Sequence, residues 1–245
     1  MARTADIPGG RPLIHERFAV EKEASRGGMG VVYRALDRVT GQTVALKVLR
    51  RAVSTPSEEE RFHREAQILS TLRHPAIVSY VTHGITKAGE HYMAMEWLEG
   101  ETLALRLSRG LLTPRQALAL LSQISSGLAE AHRAGIVHRD IKPHNILLRG
   151  AMLSKATMID FGVARGGLLP VLTKTGFIVG TPEYMSPEQA RGQRNLSPAS
   201  DVFSLGCLFY ACVTGSTPFA ADQVPGVLAK ILFDEPPRLG SLLKA

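Results

Sequence analysis

A chain of 245 residues has room for one large domain or two lobes with separate cores, and 44% hydrophobic and 21% charged content is ordinary for a soluble globular protein. The net charge of +7 is spread without any long Lys/Arg block, so it reads as a solvated basic surface and argues against nucleic acid as a partner. Nothing approaches the roughly 18 consecutive apolar residues of a membrane span, and the start, MARTADIPGGRPLIHER, lacks the apolar core of a signal peptide; both predict a cytoplasmic location. Cys207 and Cys212 sit in the apolar run DVFSLGCLFYACV at a spacing that matches no metal motif, the usage of small hydrophobes in a reducing compartment.

Residues 1–17, with Pro8, Gly9, Gly10 and Pro12, are expected to form a flexible leader. VVYRALD (31–37) and TVALKVL (43–49) then flank a turn containing Gly41, a hairpin signal. Within TVALKVL, alternation puts Val44, Leu46 and Val48 on one face and Ala45 and Lys47 on the other. Ser57 with Glu60 forms a capping box after Pro56, and Phe62, Ala66 and Leu69 give the helix an apolar stripe. HYMAMEW (91–97) is a further strand, and Leu98 to Gly100 link it to a helical half. Thr113 can cap the next helix, Pro114 suits its first position and Gly135 its end, with Ala117, Leu120, Leu121, Ile124, Leu128 and Ala131 facing a core. IVHRDIKPHNILL (136–148) begins and ends as buried strand; KATMI (155–159), a Gly/Thr/Pro-rich segment (162–187) and an apolar helix (202–214) follow. The pattern predicts an α+β protein, a small strand-rich lobe before a larger helical one.

SRGGMGVVYRA (25–35) places Gly27, Gly28 and Gly30 at a hairpin tip, where backbone N–H groups can approach an anion with no Cβ between, although such tips are also common without a ligand. Lys47 shares its face with Ala45, small enough to admit a flat ligand; the lysine reads equally as phosphate-reaching or as snorkelling from an edge strand. Glu65 flanks the buried stripe and needs a cation, either Lys47 or Arg61 of its own helix. In residues 136–148 the apolar run is broken by His138, Arg139, Asp140, Lys142, His144 and Asn145, and Pro143 rules out a regular ladder or helix. Asp140 suits orienting or deprotonating a hydroxyl, Lys142 suits a phosphate, and Asn145 offers an amide oxygen to a hard cation such as Mg²⁺. ATMID then ends at Asp160-Phe161-Gly162 with a second oxygen ligand. One carboxylate is commonplace; Asp140, Lys142, Asn145 and Asp160 on one strand–loop–strand unit are not.

In order, G-G-M-G-V-V-Y, V-A-L-K, R-E-A, H-R-D-I-K-P-H-N, D-F-G and G-T-P-E-Y-M-S-P-E resemble the eukaryotic-like (Hanks-type) serine/threonine protein kinases, and GGMGVVYRA and GTPEYMSPEQARG look most like bacterial members. The resemblance covers the chain from Phe18 to its last residue. It implies a two-lobed kinase-like fold, with an antiparallel-sheet N-lobe carrying one helix (18–95), a hinge (96–100) and a mainly helical C-lobe (101–245). It also implies ATP and Mg²⁺ as cofactors and serine/threonine-bearing proteins as substrates, with dimerisation as a route to trans-autophosphorylation. By this resemblance Lys47 binds the α/β-phosphates and pairs with Glu65, Asp140 is the catalytic base, Lys142 steadies the γ-phosphate, and Asn145 and Asp160 hold Mg²⁺. Adenine would lie between Val32, Ala45 and Leu147, bonded to backbone at Glu96 and Leu98, with Met95 behind. Leu69, Tyr80, His138 and Phe161 match the family's aligning hydrophobic column. Arg139 would pair with a phosphate on Thr173 or Thr175, and Thr181 is consistent with the serine/threonine class.

Two departures bear on activity. Ala24-Ser25 replace the aliphatic residue and glycine that usually open the glycine loop, predicting a looser nucleotide clamp. The chain ends at DEPPRLGSLLKA, before the family's last helices and the arginine that pairs with Glu188, so a catalytically weak pseudokinase or scaffold is the competing expectation. Small-molecule phosphotransferases share H-x-D-x-x-x-x-N but lack such a D-F-G to S-P-E segment. His144, where basophilic relatives often carry an acid, argues against a preference for arginine near the phosphoacceptor.

Overall fold

The computed structural model describes residues 13–14, 16–27, 30–49, 56–161, 182–193 and 195–242. Gly28, Thr173, Thr175, Thr181 and the leader up to residue 12 lie outside them. The chain divides into two compact units, Met1–Arg73 with Val78–Leu98 and His74–Ile77 with Glu99–Ala245.

In the first unit, β1 (Leu13–Ile14), β2 (Phe18–Gly27), β3 (Gly30–Asp37), β4 (Thr43–Leu49), β5 (Tyr80–Ile85) and β6 (His91–Glu96) form one antiparallel sheet in the order β1-β2-β3-β4-β6-β5. The alternation in TVALKVL is realised: Val44, Leu46 and Val48 pack with Phe18, Ala35, Tyr92 and Ala94 in a buried cluster. The helix α1 (Pro56–Thr71) starts at Pro56, so Ser57 lies inside it instead of capping it. Proline suits a first turn because its missing N–H would find no partner there. Phe62, Ala66 and Leu69 are buried, as their spacing predicts.

The ordered fold begins earlier than a leader ending at residue 17 would allow. Leu13 and Ile14 pair with Ala19 and Phe18, and Arg17 closes on the end of β3. Its guanidinium donates to Asp37 Oδ1 (2.8 Å) and Oδ2 (2.7 Å), joined by the Val39 N–H (3.0 Å) and the Thr40 hydroxyl (3.0 Å). The Arg17 bond, first among these donors, holds the buried Asp37 carboxyl at about 2, from an ordinary 3.8. A depressed carboxylate stabilises the fold above its unfolded pKa, and that contribution is lost as pH falls through the folded value. Asp37→Asn is therefore expected to lower unfolding free energy by up to about 2 kcal/mol at neutral pH. In urea titrations the gap from wild type should shrink as pH drops below 3.8 towards about 2. A gap independent of pH would contradict this.

The second unit contains β7 (Gly100–Thr102), α2 (Leu103–Leu107), α3 (Pro114–Arg133), β8 (Ile146–Arg149), β9 (Ala156–Met158), α4 (Pro187–Ala190), α5 (Pro198–Thr214), α6 (Val224–Phe233) and α7 (Leu239–Leu242), with β7, β8 and β9 in a small antiparallel sheet. Its division from the first unit falls inside the expected hinge, and His74–Ile77, expected in the N-lobe, belongs here. Ile77 bridges Met158, whose N–H donates to the Ala76 carbonyl at 2.8 Å. Helix α3 is capped as expected: Thr113 Oγ1 accepts from the Gln116 N–H, and the Gln116 side chain accepts from the Thr113 N–H. Of its predicted stripe only Leu121 stays half-exposed; Gly127 is buried instead. A Cβ at Gly127 would lie 2.7 Å from Met158 Cε and 3.2 Å from Ala76 Cβ, so glycine is what lets the helix pack so closely here. Cys207 and Cys212 are buried on α5, and burial pushes both thiols up to about 12, leaving them unreactive near neutral pH.

A further expectation fails. Ile136 and Val137 do not begin a strand; residues 136–142 are irregular, and regular pairing resumes only at β8. What fixes this path is a set of side-chain bonds from distant residues.

Candidate active site

In the first unit, β4 carries the candidate phosphate-binding lysine. Lys47 is opposite Val32 on β3 and Met93 on β6, and Ala45 is opposite Met95. Directly opposed residues share a face of the sheet, so Val32, Ala45, Lys47, Met93 and Met95 lie together, away from the Val44–Leu46–Val48 face. Lys47 is only 8% exposed. Glu65 is half-buried on α1. The β2–β3 ladder ends at the pair Gly27↔Gly30, with Ser25 exposed and opposite Val32. Gly30 has a reason of its own: a Cβ there would lie 2.1 Å from the Val48 carbonyl oxygen of the neighbouring strand. At the end of β6, the Glu96 side chain accepts from the Ser79 N–H (2.8 Å), and its own N–H donates to the Ser79 carbonyl (2.9 Å). Half-buried Leu98 is the last residue of this unit.

The second unit gathers the polar residues of the 136–148 stretch. Lys142 Nζ lies 3.0 Å from Asp140 Oδ2, with both side chains largely buried. Asn145 donates its amide to the Asp140 carbonyl and to Asp140 Oδ2, each at 2.8 Å. The Asp140 carboxylate is thus bracketed by a cation and an amide. With the amide nitrogen engaged, the oxygen is the end of Asn145 that suits a hard cation. Asn145 directly precedes β8, with Leu147 half-buried beyond it; its carbonyl accepts from the Ile159 N–H at 2.9 Å, one residue before Asp160. Two oxygen-bearing side chains, Asn145 and Asp160, therefore sit at adjoining ends of the β8–β9 hairpin. Asp160 takes a left-handed φ of 65°, and the next residue, Phe161, packs its ring 4.5 Å from that of His138. That pair is the half of the expected hydrophobic column that lies in this unit; Leu69 and Tyr80 belong to the other.

Sequence reasoning missed the residue that holds this loop. Asp201, fully buried on α5, accepts from the N–H groups of His138 and Arg139 (2.8 Å each) and from His132 Nε2 (2.7 Å). Arg139 has φ 66°, a conformation that is costly for a non-glycine residue. Its strain is held at both ends, because the Gln189 side chain donates to the Arg139 carbonyl at 2.9 Å. Gln189 is positioned by a capping box with Ser186 at the start of α4. The available signals were an acid placed within the apolar run DVFSLGCLFYACV, and S-P-E-Q as a helix start. Glu188, expected to need an arginine, accepts from the Ser200 hydroxyl at 2.5 Å.

Residues 18–235 match the family described as the protein kinase domain. The chain belongs to the protein kinase family. It is 42% identical over 229 residues to the serine/threonine-protein kinase PknA of Mycobacterium tuberculosis, covering 91% of this chain and 52% of that protein. It is 40% identical over 234 residues to the serine/threonine-protein kinase pkn3 of Myxococcus xanthus, covering 91% and 42%. With PknL of M. tuberculosis the identity is 38% over 234 residues, covering 94% and 57%. This kinase chain therefore spans about half the length of these curated relatives. In fold it is similar to the crystal structure of the M. tuberculosis PknI kinase domain, with a TM-score of 0.72 at 23% identity over 96% of this chain and 92% of that one.

Proposed function

We propose that this kinase transfers the γ-phosphoryl group of ATP to serine and threonine hydroxyls of proteins, in a Mg²⁺-dependent reaction. The observation that carries the proposal is the Asp140 carboxylate, bracketed by Lys142 and Asn145 beside the Asp160 turn. Kinship with proteins named serine/threonine kinases supports the acceptor class.

Asp140 orients the acceptor hydroxyl and takes its proton as the oxygen attacks. Lys142, 3.0 Å from that carboxylate, neutralises charge on the transferring phosphoryl group. Lys47, steadied by Glu65, binds the α/β-phosphates, with Gly27, Gly28 and Gly30 offering backbone N–H groups to phosphate. Val32, Ala45 and Met95 contact adenine, which bonds to the backbone of Glu96 and Leu98. Asn145 and Asp160 supply hard oxygens at adjoining strand ends, a donor set that fits Mg²⁺, which would supply positive charge to offset the negative charge of the phosphates. Arg139 pairs with phosphate on Thr173 or Thr175, ordering the segment once it is autophosphorylated. Lys47, Glu65, Asp140, Asn145 and Asp160 are all present, which tells against a purely scaffolding role. Among the described residues no helix is long and apolar enough to cross a membrane, and we place this domain in the cytoplasm.

Incubation with labelled ATP and a generic basic protein tests the reading. Label on serine or threonine, absent from tyrosine and abolished by a chelator of Mg²⁺, is the expected result. Label on tyrosine, or transfer that survives chelation, would overturn it.

A further inference from the structure

The first unit also holds a cluster of titratable side chains with no part in phosphoryl transfer. Glu59 and His63 are four residues apart on α1, a spacing that puts them on one helix face. His91 opens β6, and His83 on β5 is opposite Met93, two residues along β6 from His91. Glu59 Oε1 is 3.8 Å from His63 Nε2 and 3.9 Å from His91 Nε2, and the three donor groups lie within 4.8 Å of one another. His91 is 5% exposed, yet among the described residues neither of its ring nitrogens has a hydrogen-bond partner. Edge-on packing of Phe62 against His63, His83 and His91 accounts for the rings' positions but leaves those nitrogens unexplained.

We infer that Glu59, His63 and His91 form a binding site for a divalent transition metal of the zinc class, with His83 and Tyr80 as its outer hydrogen-bonded shell. Two imidazoles and a carboxylate are a known zinc donor set, which leaves a fourth position for water. Metal–ligand bonds of about 2.0–2.1 Å in a tetrahedron place ligand atoms roughly 3.3 Å apart. The observed separations of 3.8 and 3.9 Å from Glu59, in a cluster whose donor atoms all lie within 4.8 Å, must contract to reach that. The outer shell is already in place. His63 Nδ1 lies 2.7 Å from His83 Nε2, and His83 Nδ1 bonds the Tyr80 hydroxyl. This relay has two polarities. When His63 Nδ1 donates to His83 and His83 Nδ1 donates to Tyr80, the Nε2 lone pair of His63 is free for metal, so binding selects that tautomer. The half-exposed side chains of Glu59 and His63 provide an entry path. The imidazoles select against Mg²⁺, which separates this site from Asn145 and Asp160. A bound metal would tie α1 to β6, and with it the backbone that carries Glu65.

The test uses the tag-free chain, stripped of metal and titrated with Co²⁺. One equivalent should bind with the visible absorption of four-coordinate cobalt, withstand excess Mg²⁺, and be displaced by Zn²⁺. Glu59→Gln and His63→Gln, half-exposed and safer for folding than a change at His91, should each weaken binding more than about 10-fold. Their circular dichroism and metal-free Tm should not change. His83→Phe should cost about 10–100-fold as an outer-shell change. Absence of cobalt uptake at micromolar concentration, or uptake unaltered in Glu59→Gln and His63→Gln, would overturn the inference.

Discussion

Asp140→Asn is expected to reduce phosphoryl transfer by about 10²–10⁴-fold while leaving Mg²⁺-dependent ATP binding nearly intact. An amide of the same shape can still accept from Asn145, so the loop keeps its form, but it cannot take the acceptor's proton. The change also leaves Lys142 facing a neutral group where it now lies 3.0 Å from a carboxylate. The deficit should appear in kcat with little change in the KM for ATP. Wild-type turnover in this variant would mean that Asp140 is not the base. A parallel loss of nucleotide affinity would mean that it acts through binding.

Asp201→Ala should be the most damaging single change to the fold of the second unit. Three donors, the His138 and Arg139 N–H groups and His132 Nε2, lose their acceptor at a buried point. Removing one partner of a buried charged network costs roughly 3–5 kcal/mol, against total stabilities of about 5–15. A Tm lower by about 10 °C is expected for a chain of this size. Activity should fall further than the folded fraction does, because Arg139 at φ 66° would then be clamped only through its carbonyl by Gln189. A normal Tm and activity in Asp201→Ala would show that the loop holds its shape without this anchor.

What could be read in advance followed from local periodicity. Strands β3 and β4 and helix α3 with its Thr113 cap fell where apolar spacing placed them, and α5 covers the expected apolar run but starts ahead of it, at Pro198. The polar constellation of Asp140, Lys142, Asn145 and Asp160 was legible because charge has no other reason to interrupt so apolar a run. The misses are places where distant residues decide. Ile136 and Val137 look like a strand, but Asp201, more than sixty residues on, draws the following backbone into an irregular path. Strand β1, only two residues long, gave no pattern of its own; it pairs β2 beside the grip of Arg17 on Asp37. Glu59 and His63 fell within a helix that the sequence explained by its apolar stripe, so their meeting with His91 became visible only in three dimensions.

Mg·ATP affinity in Lys47→Met, in Asp160→Asn and in the double variant is the most direct test of the proposed nucleotide-binding roles of Lys47 and Asp160. Each single change should weaken binding at least about 10-fold, with the double variant losing less than the sum of the two free-energy changes, as is expected of two groups that serve the same ligand. Wild-type affinity in either single variant, or binding indifferent to Mg²⁺, would contradict those roles.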